Sequence, residues 1–184
     1  MSARRGSSPS ETAADEPSDE AAARGEGDAV RRQDLAREFV WGILAVYMHF
    51  EDIRYAWADV LGISGPQWLI LMAIHDLDQD GGVSVRDVAR KLHVDRSFIT
   101  TQTQSLEKQG FMSRTVSAED ARIVLMSVTD KARNEIKSLA LRQQSLDAFI
   151  FSDLDDQALR DIVDKLKLLE GRLEKASLKL AAES

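Results

Sequence analysis

Between Ser84 and Thr129 the apolar period switches from helical to alternating, and caps and turn residues stand at each switch. Ser84 starts a short helix, with Asp87 placed for a capping box and Val85, Val88, Ala89 and Leu92 on its inner face. His93 and Val94 form a turn. Asp95 then stands at the cap of a second helix, Arg96 to Gln109, and Gly110 supplies its stop. Phe111 to Val116 and Ile123 to Val128 read as two strands around the polar turn Glu119-Asp120-Ala121-Arg122. Helix, turn, helix, hairpin is the order of a winged helix. Few other folds accept so many punctuated changes of period in so short a segment.

The flanks are helical and more apolar than a solitary helix tolerates. From Val30 to Leu61, Leu35, Phe39, Ile43, Val46, Phe50, Ile53, Trp57 and Val60 recur at helical spacing. Between Phe39 and Phe50 almost every face is apolar, as in a helix buried on several sides, often against another chain. Gly62 closes this helix. Ser64 is placed to cap the next, with Pro66 in its first turn and Trp68, Leu69, Leu71, Met72 and Ile74 along it. Thr129 caps a further helix with Ile136, Leu139, Leu146 and Phe149 on its apolar side, and Ser152 with Asp155 reads as another capping box.

In the last helix Leu159, Ile162, Leu166, Leu169, Leu173, Ala176 and Leu180 alternate spacings of three and four. This heptad seam predicts pairing with another helix, across a homodimer or within the monomer. Residues 1–28 carry no apolar period and are expected to form a disordered acidic tail. The expected organisation is that tail, a dimerisation helix over 29–61, a winged helix-turn-helix domain over 62–129 and C-terminal dimerisation helices over 130–184. The fold class is mainly α with a small β-wing.

Charge and composition narrow the chemistry. The chain has no cysteine, which excludes disulfides, thiolate metal sites, cysteine nucleophiles and thiol-based sensing. The run Phe39–Phe50 falls short of the roughly 20 residues a membrane helix needs. The N-terminus lacks an apolar signal segment, so a cytoplasmic protein without a membrane partner is expected. The net charge of -7 disfavours a polyanion at first sight, but it is unevenly spread. Residues 84–133 hold nine Lys and Arg against six Asp and Glu, a local balance of +3. Screening confines charge effects to about 10 Å, so the local balance is what a phosphate backbone meets.

The Arg96–Gln109 helix suits the major groove of double-stranded DNA. Ile99, Thr103 and Leu106 share one face and should pack inward. Arg96, Ser97, Phe98, Thr100, Thr101, Gln104 and Lys108 are then the candidates to face DNA. Hydroxyls and amides reach phosphates or base edges, and Phe98 suits a thymine methyl. At the wing tip Arg122 is the candidate for the minor groove, with Asp120 expected to position an arginine by an ion pair.

These motifs resemble the MarR family of bacterial transcription regulators. The resemblance is carried by Val85-Arg86-Asp87-Val88-Ala89-Arg90-Lys91-Leu92, Asp95-Arg96-Ser97 and Leu106-Glu107-Lys108-Gln109-Gly110-Phe111. Asp120-Ala121-Arg122 and Val128-Thr129 before a charged helix complete it, and the likeness extends over about residues 30–182. It implies a homodimer built from the terminal helices, a pseudo-palindromic operator and release by a small molecule, an aromatic acid or a coenzyme A thioester. Trp41, Tyr47, Arg54, Trp57, Trp68 and His75 are the candidates for that effector's pocket. One departure weakens phosphate attraction: Thr101 and Ser105 stand where the family often carries arginines.

The acidic loop offers a second chemistry. Asp76, Asp78, Asp80 and Asp87 fall at positions 1, 3, 5 and 12 of a loop like that of a calcium-binding EF-hand, with Gly81 at position 6. Position 12 is Asp where a longer Glu is usual, and Gly82 occupies position 7. No cofactor is otherwise expected. A calcium-responsive DNA-binding module and a helical interaction module that binds no DNA are the alternative readings. No nucleotide loop, zinc cluster or nucleophile elbow is present, and no enzyme is expected.

Overall fold

The computed structural model describes residues 17–78 and 81–183. The chain divides into two compact units, residues 1–65 and 66–184. The first holds α1 (Pro17–Leu61), which ends at Gly62. Its start corrects the expected tail, because residues 17–28 are helical. Pro17 suits a first helical position and Ala21 to Ala23 have high helix propensity. Residues 1–16 lie outside the described residues. Phe39, Trp41, Val46, Tyr47 and Phe50 are all exposed along α1.

The second unit runs through α2 (Gly65–Leu77), β1 (Val83–Ser84), α3 (Val85–Leu92), α4 (Arg96–Lys108), β2 (Met112–Val116), β3 (Val124–Val128), α5 (Asp130–Ile150) and α6 (Asp156–Glu183). Its core comprises Ile70, Leu71 and Ile74 of α2, Val88 of α3, Ile99 and Leu106 of α4, and Met112 and Met126 of the sheet. Each such side chain contributes about 1.5–3 kcal/mol of transfer free energy. Among the described residues no single helix is long and apolar enough to cross a membrane.

The sheet has the order β1-β3-β2, with both neighbours antiparallel to β3. Val83 pairs with Met126, and Arg114 of β2 pairs with the same Met126 from the other side. The hairpin strands were expected; β1 was not, because two residues are too few for alternation to show. Gly82 leads into it at φ 75°, where an added Cβ would lie 2.9 Å from Cβ of Leu125. Only glycine suits that approach.

The termini of α3 and α4 follow from their caps. Oγ of Ser84 accepts the Asp87 N–H at 3.2 Å, while its own hydroxyl donates to the Asp87 carboxylate. At the far end His93 adopts φ 52°, a left-handed conformation that costs a non-glycine residue about 1–2 kcal/mol. The N–H of Val94 reaches the Ala89 carbonyl there at 3.1 Å. Helix α4 ends in a Schellman motif: the Gly110 N–H bonds the Glu107 carbonyl and the Phe111 N–H bonds the Leu106 carbonyl, both at 2.9 Å. Gly110 supplies φ 75° for it. Lys131 adds a charged cap, donating to the Gln109 carbonyl at 2.8 Å while lying 4.3 Å from the centroid of Phe111.

One expectation at the C-terminal helices is corrected. Thr129 caps α5 through the Ala132 N–H, and of its apolar side Ile136 and Leu139 are buried while Phe149 is 79% exposed in the single chain. It lies in the last turn, beyond the stretch of α5 that buries side chains. Asp155 alone caps α6, accepting the Ala158 N–H at 2.7 Å. Ser152 sits in the preceding turn, its N–H on the Phe149 carbonyl, so no capping box forms.

Candidate nucleic-acid interface

Helix α4 has the two faces that its sequence predicts. Ile99, Thr103 and Leu106 are fully buried. Arg96, Ser97, Phe98, Thr101, Gln104 and Lys108 are exposed, and Thr100 is half-buried. Packing one stripe inward directs the polar stripe outward as a consequence of the 3.6-residue period. Two hydroxyls are partly committed: Thr100 donates to the Arg96 carbonyl at 2.9 Å and Thr101 to the Ser97 carbonyl at 3.0 Å. Each keeps lone pairs to accept from a base or a bridging water. Asp95 holds the cap position without a side-chain cap bond, so first-turn N–H groups of α4 remain available to an anion.

The wing tip is organised by Asp120 in a way its sequence does not reveal. Oδ1 of Asp120 accepts the backbone N–H of Arg122 at 2.9 Å. This Asx-type turn replaces the expected ion pair, and it leaves the guanidinium of Arg122 exposed. Arg122, Glu119 and Ser117 of the wing share one groove with Arg96 and Thr100 of α4 and Arg86 of α3, a space of about 860 Å³. A second open groove of about 900 Å³ is lined by Arg86, Arg90, His93, Arg96 and Phe98, with Glu174 of α6. Arg86 and Arg96 line both. Arg86 and Arg90 are not among the residues expected from sequence, although their spacing of four on a short amphipathic helix places them on one outer face.

Nor is Arg114 among the residues expected from sequence. This arginine lies on β2 with its side chain only 22% exposed. Its Nη2 donates to Oγ1 of Thr103 at 2.6 Å and to the Thr100 carbonyl at 3.4 Å. Nε lies 3.4 Å from the Glu107 carboxylate, off the hydrogen-bond direction, so charge is compensated while the N–H itself has no partner. The signal was available: Met112, Arg114 and Val116 share one face of an alternating strand, and Met112 is buried.

The acidic loop engages its carboxylates elsewhere. Asp76 pairs with Lys91, and that hydrogen bond and positive charge hold the Asp76 carboxyl below its usual range. Asp78 accepts the Gly82 N–H at 2.8 Å, and Asp87 bonds Ser84 and Arg90. Asp80 lies outside the described residues. Among the described residues no group of three or more His, Asp or Glu could hold a metal. Because Lys91 already pairs with Asp76 and a cation would have to displace it, millimolar Ca²⁺ is expected to give no heat in calorimetry. Saturable heat that vanishes in Asp78→Ala would establish the calcium reading.

Of the effector-pocket candidates, Trp41, Tyr47, Arg54 and Trp57 lie on α1, and Trp68 and His75 lie on α2. Trp41 and His75 are exposed, whereas Trp68 belongs to the core. Tyr47 and Arg54 are brought together: the Tyr47 hydroxyl donates to Glu51 at 2.8 Å and Arg54 bonds the same carboxylate. The hydrogen bond to Glu51, with burial and that carboxylate's charge, raises the Tyr47 phenol above its ordinary value.

A buried-stripe helix behind a short capped helix, with a wing whose arginine shares its groove, defines a winged helix-turn-helix protein. Residues 63–124 match the family model described as MarR. The chain is similar to YhbI of Bacillus subtilis, a helix-turn-helix-type transcriptional regulator. They are 29% identical over 136 residues, covering 72% of this chain and 86% of that one. Among solved structures, the Staphylococcus aureus MepR–DNA complex superposes with a TM-score of 0.62 at 15% identity, over 71% of this chain and 93% of the other. MarR of the same organism, in complex with salicylate and kanamycin, gives a TM-score of 0.64 at 17% identity, over 80% and 97%. Over residues 63–124 the chain is thus similar to the MarR family, and the relative it resembles over most of its length is a helix-turn-helix-type transcriptional regulator.

Proposed function

We propose that this protein is a transcription regulator of the MarR type, a repressor that binds a pseudo-palindromic operator as a homodimer and leaves it when a small molecule binds. The observation that carries the proposal is the shared groove, in which Arg96 and Thr100 of α4 and Arg122 of the wing line one space. Each subunit would lay α4 in a major groove and Arg122 in the flanking minor groove. Two-fold symmetry sets the half-sites about 10 bp apart. Support for a second copy comes from α1 and α6, whose apolar side chains stay largely exposed in the single chain. MepR was solved on DNA and MarR of Staphylococcus aureus with salicylate, which supports operator and effector as partners here.

The effector class we assign is an aromatic carboxylic acid or its coenzyme A thioester. Such a ligand releases DNA only by binding the two conformations with different affinity. Selection of genomic fragments by the purified protein at two salt concentrations tests the reading. A palindrome that persists at higher salt is expected; sequence-blind recovery that vanishes with salt would leave only backbone attraction. On the selected operator, Arg122→Ala is expected to weaken binding by about 1–3 kcal/mol with the fold intact. Unchanged affinity in an anisotropy titration would remove the wing from the mechanism.

A further inference from the structure

We infer that Arg114 is a positioning residue that locks the wing to the DNA-reading helix, so that their two DNA contacts work as one unit. The inference rests on α4 and the wing being the DNA-binding parts. Arg114 spans from β2 to the inner side of α4, where its Nη2 bonds Oγ1 of Thr103 at 2.6 Å and approaches the Thr100 carbonyl at 3.4 Å. Thr103 is fully buried, and its hydroxyl donates its one proton to the Ile99 carbonyl at 2.7 Å. Its lone pairs are thus directed to Arg114. Thr100 is the helix residue that shares the groove with Arg122, so the guanidinium grips the turn of α4 nearest the wing's own contact.

The place of Arg114 along the hairpin makes this grip decisive. Met112 and Met126, at the hairpin base, are buried in the core. Beyond Arg114, β2 itself has little hold, since Thr115 and Val116 are exposed, as are residues 118–122 of the tip; the remaining hold is on β3, where half-buried Leu125 pairs with Ser84 of β1. Arg114 is therefore the last side chain on β2 that fastens the wing to the body. A guanidinium is a costly way to fill such a place. It leaves Nε without a hydrogen bond, and an apolar side chain of similar volume often gives equal or greater stability. What it supplies is direction, because a guanidinium whose Nη2 bonds two groups of α4 while its Nε faces Glu107 of the same helix fixes the strand's distance and rotation.

The test is a double-mutant cycle on the selected operator, reading Kd by anisotropy and fold by circular dichroism. In the wild-type background Arg122→Ala is expected to lose about ten- to a hundredfold in affinity. In Arg114→Met, which keeps the volume and removes the fork, the same Arg122→Ala change is expected to lose less than about threefold. Thr103→Val removes the acceptor from the helix side and should uncouple the wing in the same way, while Thr103→Ser keeps the hydroxyl and should preserve the full loss. The Thr103 pair decides the matter if Arg114→Met does not fold. An equal loss on Arg122→Ala in wild type, Arg114→Met and Thr103→Val would overturn the positioning role while leaving the wing as a DNA contact. No loss in wild type would instead overturn the DNA-binding reading of the wing, and this inference with it.

Discussion

Leu106→Ala is expected to destabilise the winged-helix unit by about 2–5 kcal/mol, measured by urea unfolding at constant m-value. Leu106 is fully buried and supplies the carbonyl that the Phe111 N–H bonds where α4 ends. Truncation removes apolar transfer energy and leaves a cavity that α4 and the sheet close only in part. The damage should spread to the wing, since Phe111 and Met112 are buried and lead directly into β2. Phe98→Ala is the control from the same helix. Its side chain is 39% exposed, so its removal should change stability by less than about 1 kcal/mol while weakening operator binding. A loss below about 1 kcal/mol for Leu106→Ala would mean that the core around α4 is loose enough to refill.

Leu166→Glu combined with Leu173→Glu is expected to turn the proposed dimer into a monomer and to lower operator affinity by at least about a hundredfold. Helix α6 buries none of its side chains within the chain, and Ile162, Leu166, Leu173 and Leu180 are all exposed. Covering each leucine by a second copy would contribute about 1.5–3 kcal/mol, whereas a carboxylate in the same seam must be desolvated without a partner. A monomer keeps one half-site contact and forfeits the linkage that joins two, a factor of about 10² to 10⁴. Sedimentation equilibrium at micromolar concentration reads the first effect and anisotropy the second. A variant that stays dimeric would move association from the α6 seam to α1. A monomer with undiminished affinity would dismiss the palindromic mode of binding.

Much of the winged helix is legible before any coordinates because its determinants are local. Ser84 with Asp87, Gly110 after Gln109 and Thr129 before α5 each solve a backbone problem within a few residues, and each appears where expected. The inward stripe of Ile99, Thr103 and Leu106 follows from the helical period alone. Strand β1 is different. Two residues carry no readable period, and Val83 and Ser84 become a strand only because β3 offers a free edge to pair with.

The same division holds within the site. Which face of α4 points outward, and that Arg122 occupies a tight polar turn, were set by sequence, since both depend on neighbours three or four positions away. The part played by Asp120 was open to either a backbone or a side-chain partner at so short a range, and the turn selected the backbone N–H of Arg122. Arg114 and Thr103 are eleven residues apart, on a strand and a helix, and no local rule pairs them. Their contact is decided by the packing of β2 on α4, where a buried donor must find whatever acceptor the fold brings within reach. Local hydrogen bonds and periodicity thus determined the elements and their outward chemistry. The joining of wing to reading helix belongs to the tertiary structure, because buried polar groups are satisfied across space rather than along the chain.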